Sequence, residues 1–375
     1  MKVDKSKWVV KKLGELGEII TGNTPSMKEK KYYSSKDFCF FKPGDIEADA
    51  VSLLYKSESF VSKLGYEKSR QLSKGSVLVT CIGIIGKIGI LDMPATCNQQ
   101  INAIIPNKLV TSKFLAYSIF SNRDKLAMKA NGPVVPIMNK SIFSKQSIIV
   151  PPLSEQQAIA SELDAIQSLI TKYNEQLNDY DNLAKSIFNE MFGDVVSNDK
   201  GWERKKLPEI TLNRDNERRP VSSVMREKLD KIYDYYGACG VIDKIETYIF
   251  DGDFLLIGED GANLLTAVKP NAIIAKGKFW VNNHAHILQC KFDVDILYLC
   301  YCFNCIPLKQ YITGVAQPKL NQANLNKILI PLPPLPLQQK FAARITAIES
   351  QKDKVKQQIT DLQTLFDSRM QYYFD

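Results

Sequence analysis

Apolar positions in the middle of the chain fall into a rhythm that ordinary globular sequence does not sustain. From Ile159 they recur at Leu163, Ile166, Ile170, Tyr173, Leu177, Tyr180, Ala184, Ile187 and Met191, in alternating steps of four and three. This is a heptad seam, and neither Gly nor Pro interrupts residues 154–192. The spacing predicts one helix, roughly 58 Å long at 1.5 Å per residue. A helix with a single apolar stripe of that length cannot bury the stripe alone. A second run keeps the register through Phe341, Ile345, Ile348, Val355, Ile359, Leu362, Phe366 and Tyr373, with Lys352 and Arg369 interrupting it. Two long helices are therefore expected. Packed together within one chain, they run antiparallel and make a coiled-coil rod with a globular unit at either end.

The sequence before each helix reads as mixed strand and helix. GSVLVTCIGIIGKIGIL is β-rich, with Gly83, Gly86 and Gly89 at turn or bulge positions, and DGDFLLIGEDG is its later counterpart. Residues 97–105 (CNQQINAII) can be set against 281–289 (VNNHAHILQ), each placing polar side chains beside a strand. These pairings belong to an internal duplication. Shifted by 182 residues, 132–192 and 314–374 are identical at 20 of 61 positions without a gap, where unrelated chains give roughly four. The matches include Pro136/Pro318, Asn139/Asn321, Lys145/Lys327 and Leu153/Leu335. The two openings, WVVKKLGEL at Trp8 and WERKKLPEI at Trp202, are 194 residues apart, so the first copy is 12 residues longer (194 − 182).

The repeating unit is thus a tryptophan-headed α+β stretch, a Pro-Pro-Leu stop and a long helix. The chain divides into a globular domain over 1–150, a helix over 151–197, a second domain over 198–332 and a second helix over 333–375. Ser154 is expected to cap the first helix with Gln157 as its capping-box partner. Pro336 takes the equivalent place in the second copy, so the two starts are expected to differ.

Charge changes the picture next. Residues 1–150 carry 23 basic and 12 acidic side chains, against 3 and 9 in 151–200, 17 and 15 in 201–332, and 6 and 5 in 333–375. The first globular stretch suits a polyanion; the helix after it does not. No run approaches the ~18 apolar residues of a membrane helix, and MKVDKSKWVV lacks an apolar signal core, so a cytoplasmic protein is expected. Its eight cysteines read as core thiols. Cys302 and Cys305 form a lone C-x-x-C without the second pair that zinc requires.

No constellation for catalysis emerges. Gly83–Lys87 lacks the spacer and Ser/Thr of a phosphate loop, and there is no N-P-P-Y/F element, G-x-S-x-G elbow or H-E-x-x-H helix. Glu203-Arg204-Lys205 has the E-x-K spacing of some nucleases but no acidic partner upstream. A non-catalytic binding protein is the better reading. Side chains that match base edges are Asn98, Gln99, Asn102, Asn282, Asn283 and His284. Lys28, Lys30, Lys87, Lys276 and Lys278 are candidates for phosphate. The alternatives are a coiled-coil scaffold without a DNA role, and a metal enzyme built on the Cys and His residues.

The combination resembles the specificity subunit of type I restriction–modification systems, over essentially the whole chain. The resemblance rests on the W-x-x-K-K-L openings, the TGNTPS turn at 21–26, Tyr235-Tyr236-Gly237, WVNNHAH at 280–286 and the P-P-L-x-x-Q-Q helix starts at Pro151 and Pro333. It implies two target-recognition domains, each reading half of a bipartite site in double-stranded DNA. It also implies that the helices space these domains and dock two methyltransferase subunits that methylate adenine, with Gln156, Gln157, Gln338 and Gln339 as candidate contacts. S-adenosylmethionine, ATP and Mg would then belong to the methyltransferase and restriction subunits, with no cofactor in this chain.

Overall fold

Each tryptophan-headed opening folds alike because it makes the same local bonds. Strand Val9–Lys12 pairs antiparallel with Ser147–Val150, and Arg204–Lys206 with Leu329–Pro331. A single helical turn follows, Leu13–Leu16 in one copy and Leu207–Ile210 in the other. The Glu15 carboxylate accepts from the Lys12 backbone amide at 2.7 Å, and Glu209 from that of Lys206 at 2.6 Å. Both satisfy an N–H that the turn leaves unbonded. The apolar residues of the turn, Leu13 and Leu16 or Leu207 and Ile210, are buried.

These details come from a computed structural model that describes residues 4–130, 136–314 and 317–375. Gly132, which heads the repeat alignment, lies outside the described residues. The chain divides into two compact units, Met1–Glu175 with Lys356–Asp375, and Gln176–Val355.

In the first unit the main sheet has five strands in the order Gly17–Thr21, Ile101–Pro106, Val77–Thr80, Ile88–Leu91, Val51–Leu54. All pairings are antiparallel except the last. Helix Ser112–Ser121 covers it through Phe114, Leu115 and Tyr117. The second unit repeats the sheet with four strands, Thr211–Asn213, Ala285–Cys290, Phe254–Gly258 and Ala272–Ala275. Its covering helix, Ile296–Asn304, buries Tyr298, Leu299, Cys302 and Phe303. Cys300 and Cys302 are therefore core residues, and burial pushes the Cys302 thiol up to about 12. Both units carry a second sheet, three-stranded in the first; in the second it has four strands, Gly240–Ile245, Tyr233–Gly237, Lys278–Val281 and Phe250–Asp251.

Both long helices begin directly after the second proline, as Leu153–Phe192 and Leu335–Phe374, 40 residues each. The Pro152 carbonyl accepts from the Gln156 amide at 3.0 Å and that of Pro334 from Gln338 at 3.3 Å. The expected Ser154 cap is thus corrected, because the helix starts one residue earlier and Ser154 lies in its first turn. Pro336 occupies the same place, where a missing N–H breaks no intrahelical bond. The two starts are alike rather than different.

Within each unit the helix segments pack against each other antiparallel and against the sheet domain. In the first, Ile159, Leu163 and Ile166 share a core with Phe366, Met370 and Tyr373. In the second, Ala184, Phe188 and Phe192 meet Phe341, Ile345 and Ile348. The heptad reading chose Ile187 and Met191, which are only partly buried. Contact with the globular domain widens the buried face beyond a two-position seam, so Phe188 and Phe192 turn inward. Lys352 and Arg369, which interrupt the pattern, bind across the helix pair. Arg369 Nε lies 2.9 Å from Glu162 Oε1. Lys352 Nζ lies 2.7 Å from Asp181 Oδ1 and 2.9 Å from Glu349 Oε1.

Candidate nucleic-acid interface

At one end of each main sheet, four loops meet because antiparallel strands return their connections to the same edge. In the first unit these are the turn after Thr21, the 81–87 hairpin, the 98–100 turn and residues 136–139. Gly83 and Gly86 take φ of +76° and +87° in the hairpin, which glycine adopts without steric cost. Gly22 passes so close to the 97–98 backbone that a Cβ would stand 2.2 Å from the Asn98 carbonyl oxygen.

Several of the expected reading residues prove to build this frame. Asn98 is buried, and its Oδ1 accepts from the Gln100 amide at 3.1 Å. Asn282 is its counterpart, with Oδ1 accepting from the His284 amide at 2.8 Å. Both amides fold the turn that launches the next strand, so their assignment to base edges is corrected. Asn102 is also buried: its Oδ1 accepts from the Thr21 hydroxyl at 2.7 Å and its Nδ2 donates to the Met138 carbonyl at 3.1 Å. Lys87 is half-buried. Its ammonium donates to the carbonyls of Pro43 and Ile46 at 3.0 and 2.8 Å and staples that segment to the hairpin.

Other candidates stay at the surface. Gln99 is exposed, with Oε1 accepting from the Thr24 hydroxyl at 2.7 Å. Asn283 and His284 are exposed, and His284 Nδ1 lies 2.7 Å from Asp260 Oδ2. Lys28, Lys30, Lys276 and Lys278 are exposed, and the Lys278 ammonium sits 4.7 Å over the Tyr248 ring. Lys28 precedes the 3₁₀ turn Lys30–Tyr33, and Lys30 is its first residue.

The second unit holds a buried charge network that the sequence reading missed. His286 Nδ1 lies 2.6 Å from Asp215 Oδ2, and Nε2 lies 2.7 Å from the Leu320 carbonyl. The Ile287 amide donates to Asp215 Oδ1 at 2.8 Å. Arg218 donates to Glu259 at 2.6 Å and to the Ala285 carbonyl at 2.8 Å, and Lys319 Nζ lies 3.1 Å from Glu259. Burial pushes the Asp215 carboxyl up, but hydrogen bonds to His286 and the Ile287 amide outweigh it, leaving the group below its usual range. Glu259 is likewise held down by Arg218, His286 and Lys319 against its burial. The signal was available in the repeat: the 194 shift sets Asp215 on Thr21, and both side chains turn to the same position on the neighbouring strand.

The four glutamines at the helix starts divide two and two. Gln156 and Gln338 are fully buried. Gln156 accepts from the Thr111 amide at 2.9 Å and donates to the Leu109 and Pro151 carbonyls, both at 2.9 Å. Gln338 accepts from the Asp295 amide at 2.9 Å and donates to Pro333 at 2.8 Å. Each ties the long helix to the covering helix of its own unit, so their assignment as partner contacts is corrected; Gln157 and Gln339 are exposed. Gln156→Leu is expected to cost about 1–3 kcal/mol by stranding these backbone groups. Equilibrium urea unfolding checks this, and a loss below about 0.5 kcal/mol would refute the role. Among the described residues no cluster of three or more His, Cys, Asp or Glu could hold a metal ion, and no helix is long and apolar enough to cross a membrane.

A twice-built sheet domain with unlike loops on one shared frame, each followed by a 40-residue helix, defines a class of paired recognition modules. The family model for the type I restriction modification DNA specificity domain matches residues 5–179 and again 199–363. The chain belongs to this family and is a DNA specificity subunit. It is similar to the type I restriction enzyme MjaIX specificity subunit of Methanocaldococcus jannaschii, 25% identical over 96% of this chain and 91% of that protein. It is also similar to the EcoprrI specificity subunit of Escherichia coli, 22% identical over 88% of this chain and 85% of that one. In fold it matches the crystal structure of the S subunit from M. genitalium, at a TM-score of 0.63 and 15% identity over 100% of this chain and 98% of that one. The scaffold alternative finds no support among these relatives.

Proposed function

We propose that this chain performs no chemistry itself and instructs methyltransferase subunits where to act. Each unit reads one half of a two-part site in duplex DNA, and the long helices fix the separation of the halves. The observation that carries this reading is the repetition of one backbone frame with different exposed side chains on it. Readers of unlike sequences mounted on a common scaffold require that arrangement. Two methyltransferase subunits dock on the helices, with S-adenosylmethionine bound in them. Restriction subunits, where present, bring ATP and Mg. The excess of acidic side chains over 151–200, 9 against 3 basic, suits a protein surface better than phosphate.

The test is to express the chain with its methyltransferase partner and map methylated adenines genome-wide. A two-part motif is expected. Exchanging residues 198–332 for those of a relative should replace one half-site and leave the other. An insertion of about one helical turn between residues 153 and 192 should change the spacer alone. A single continuous motif, or a swap that alters both halves, would defeat the reading.

A further inference from the structure

The duplication permits a separation of scaffold from reader that neither copy allows alone. In the first unit Cys81 N donates to the Gln100 carbonyl at 2.8 Å, Met138 N to that of Cys81 at 2.8 Å, and Gly83 N to that of Pro136 at 3.2 Å. In the second unit Glu259 N donates to the His284 carbonyl at 2.9 Å, Leu320 N to that of Glu259 at 2.8 Å, and Gly261 N to that of Pro318 at 3.1 Å. The isolated bridges Ile82↔Ile137 and Asp260↔Lys319 complete the correspondence. These bonds equate Gln99 with Asn283 and Ile137 with Lys319, residue by residue.

At the first of these places both copies expose an amide. At the second they expose opposite chemistry. Ile137 is 44% exposed and bridges to Ile82 of the hairpin, whose tip residue Ile84 is 67% exposed. The Lys319 side chain is 51% exposed, 3.1 Å from Glu259. Glu259 is also bound by Arg218 at 2.6 Å, so Lys319 is its second and more exposed cationic partner. The bonds that the two copies share do not require an exposed isoleucine at one place or a lysine at the other; Lys319 additionally pairs with the Thr313 backbone.

Base-edge chemistry gives both a use. An amide pairs with adenine N6 and N7, an apolar group packs on the thymine methyl, and an ammonium binds guanine O6 and N7. We propose that this loop cluster is the base-reading surface of each unit. Gln99 and Asn283 each read an adenine, Ile137 with Ile84 reads a thymine methyl in the first half-site, and Lys319 reads a guanine in the second. Asn98, Asn282, Asn102 and His286 hold the frame and carry no sequence information. The assignment rests on the two-reader function above and adds to it which residues read and which bases they prefer.

The experiment uses the chain in complex with its methyltransferase subunits, a randomised double-stranded DNA library and sequencing of the bound fraction. Lys319→Ala is expected to relax one guanine position in one half-site, by roughly tenfold to a hundredfold in discrimination, and to leave the other half-site intact. Gln99→Ala should relax one adenine position in the other half. Ile137→Lys should convert a thymine preference there towards guanine. All three side chains are at the surface, and Lys319→Arg, which keeps a cation beside the buried Glu259, is run beside Lys319→Ala and should retain the guanine preference. Unchanged motifs in Lys319→Ala and Gln99→Ala, or equal relaxation across both halves, would overturn the residue assignment while the two-reader function stands. A wild-type complex that selects no two-part motif would overturn both.

Discussion

Asp215→Ala is expected to destabilise the second unit by about 3–5 kcal/mol, because it strands one side of a buried ion-paired network. His286 loses its Nδ1 partner, the Ile287 amide loses its acceptor, and Arg218 loses a carboxylate 3.6 Å away. The first unit solves the same problem without charge, through Thr21 and Asn102. The double substitution Asp215→Thr with His286→Asn should therefore recover most of the loss, with the new amide donating to Leu320 as Asn102 donates to Met138. Urea unfolding of wild type, single and double variants measures this, and a double variant no more stable than Asp215→Ala would refute the equivalence. The network also fixes a pH response. The Asp215 carboxyl titrates below its usual range in the folded chain. Its stabilisation is then fully present above the unfolded value of about 4 and is lost as pH falls through the folded one. The double variant should lack that acid-dependent loss.

The second large effect is expected at the helix pair. Phe341 is fully buried, with its ring centroid 5.4 Å from that of Phe188, 5.3 Å from Phe192 and 5.2 Å from Tyr301. Truncation to alanine removes aromatic contacts on three sides and leaves a cavity, at a cost of about 3–5 kcal/mol. In a Trp8→Phe background the remaining tryptophans, Trp202 and Trp280, belong to the second unit. The denaturant midpoint read from their fluorescence should fall accordingly; a loss under about 1 kcal/mol would mean that the helix is not part of that core.

Much of this architecture was legible because it is periodic. Alternating four- and three-residue steps located both helices, and an ungapped shift of 182 residues, with one of 194 at the openings, located both copies. Side-chain direction in the loops was not legible, since it depends on partners distant in sequence. Gln156 and Gln157 are adjacent and chemically identical, yet one reaches residues 109 and 111 and the other faces solvent. Lys87 looked like any surface lysine until two carbonyls more than 40 positions away claimed it: their sequence separations are 44 and 41 residues. Asn98 and Gln99 likewise part company over a single position. The seam residues Lys352 and Arg369 read as flaws because the one-dimensional pattern does not show the carboxylates that meet them.

The first unit is discontinuous: its core takes Phe366, Met370 and Tyr373 from a segment that follows the whole of the second unit. Protein synthesis delivers the chain in one direction. Residues 176–355 can thus close on the ribosome as soon as they emerge, whereas the domain translated first must wait, its apolar helix face uncovered, until the far segment arrives. The first unit is completed after the second, and the apolar surface left open in that interval is what a chaperone would bind. A premature stop after residue 355 would accordingly spare the domain made second and cripple the one made first.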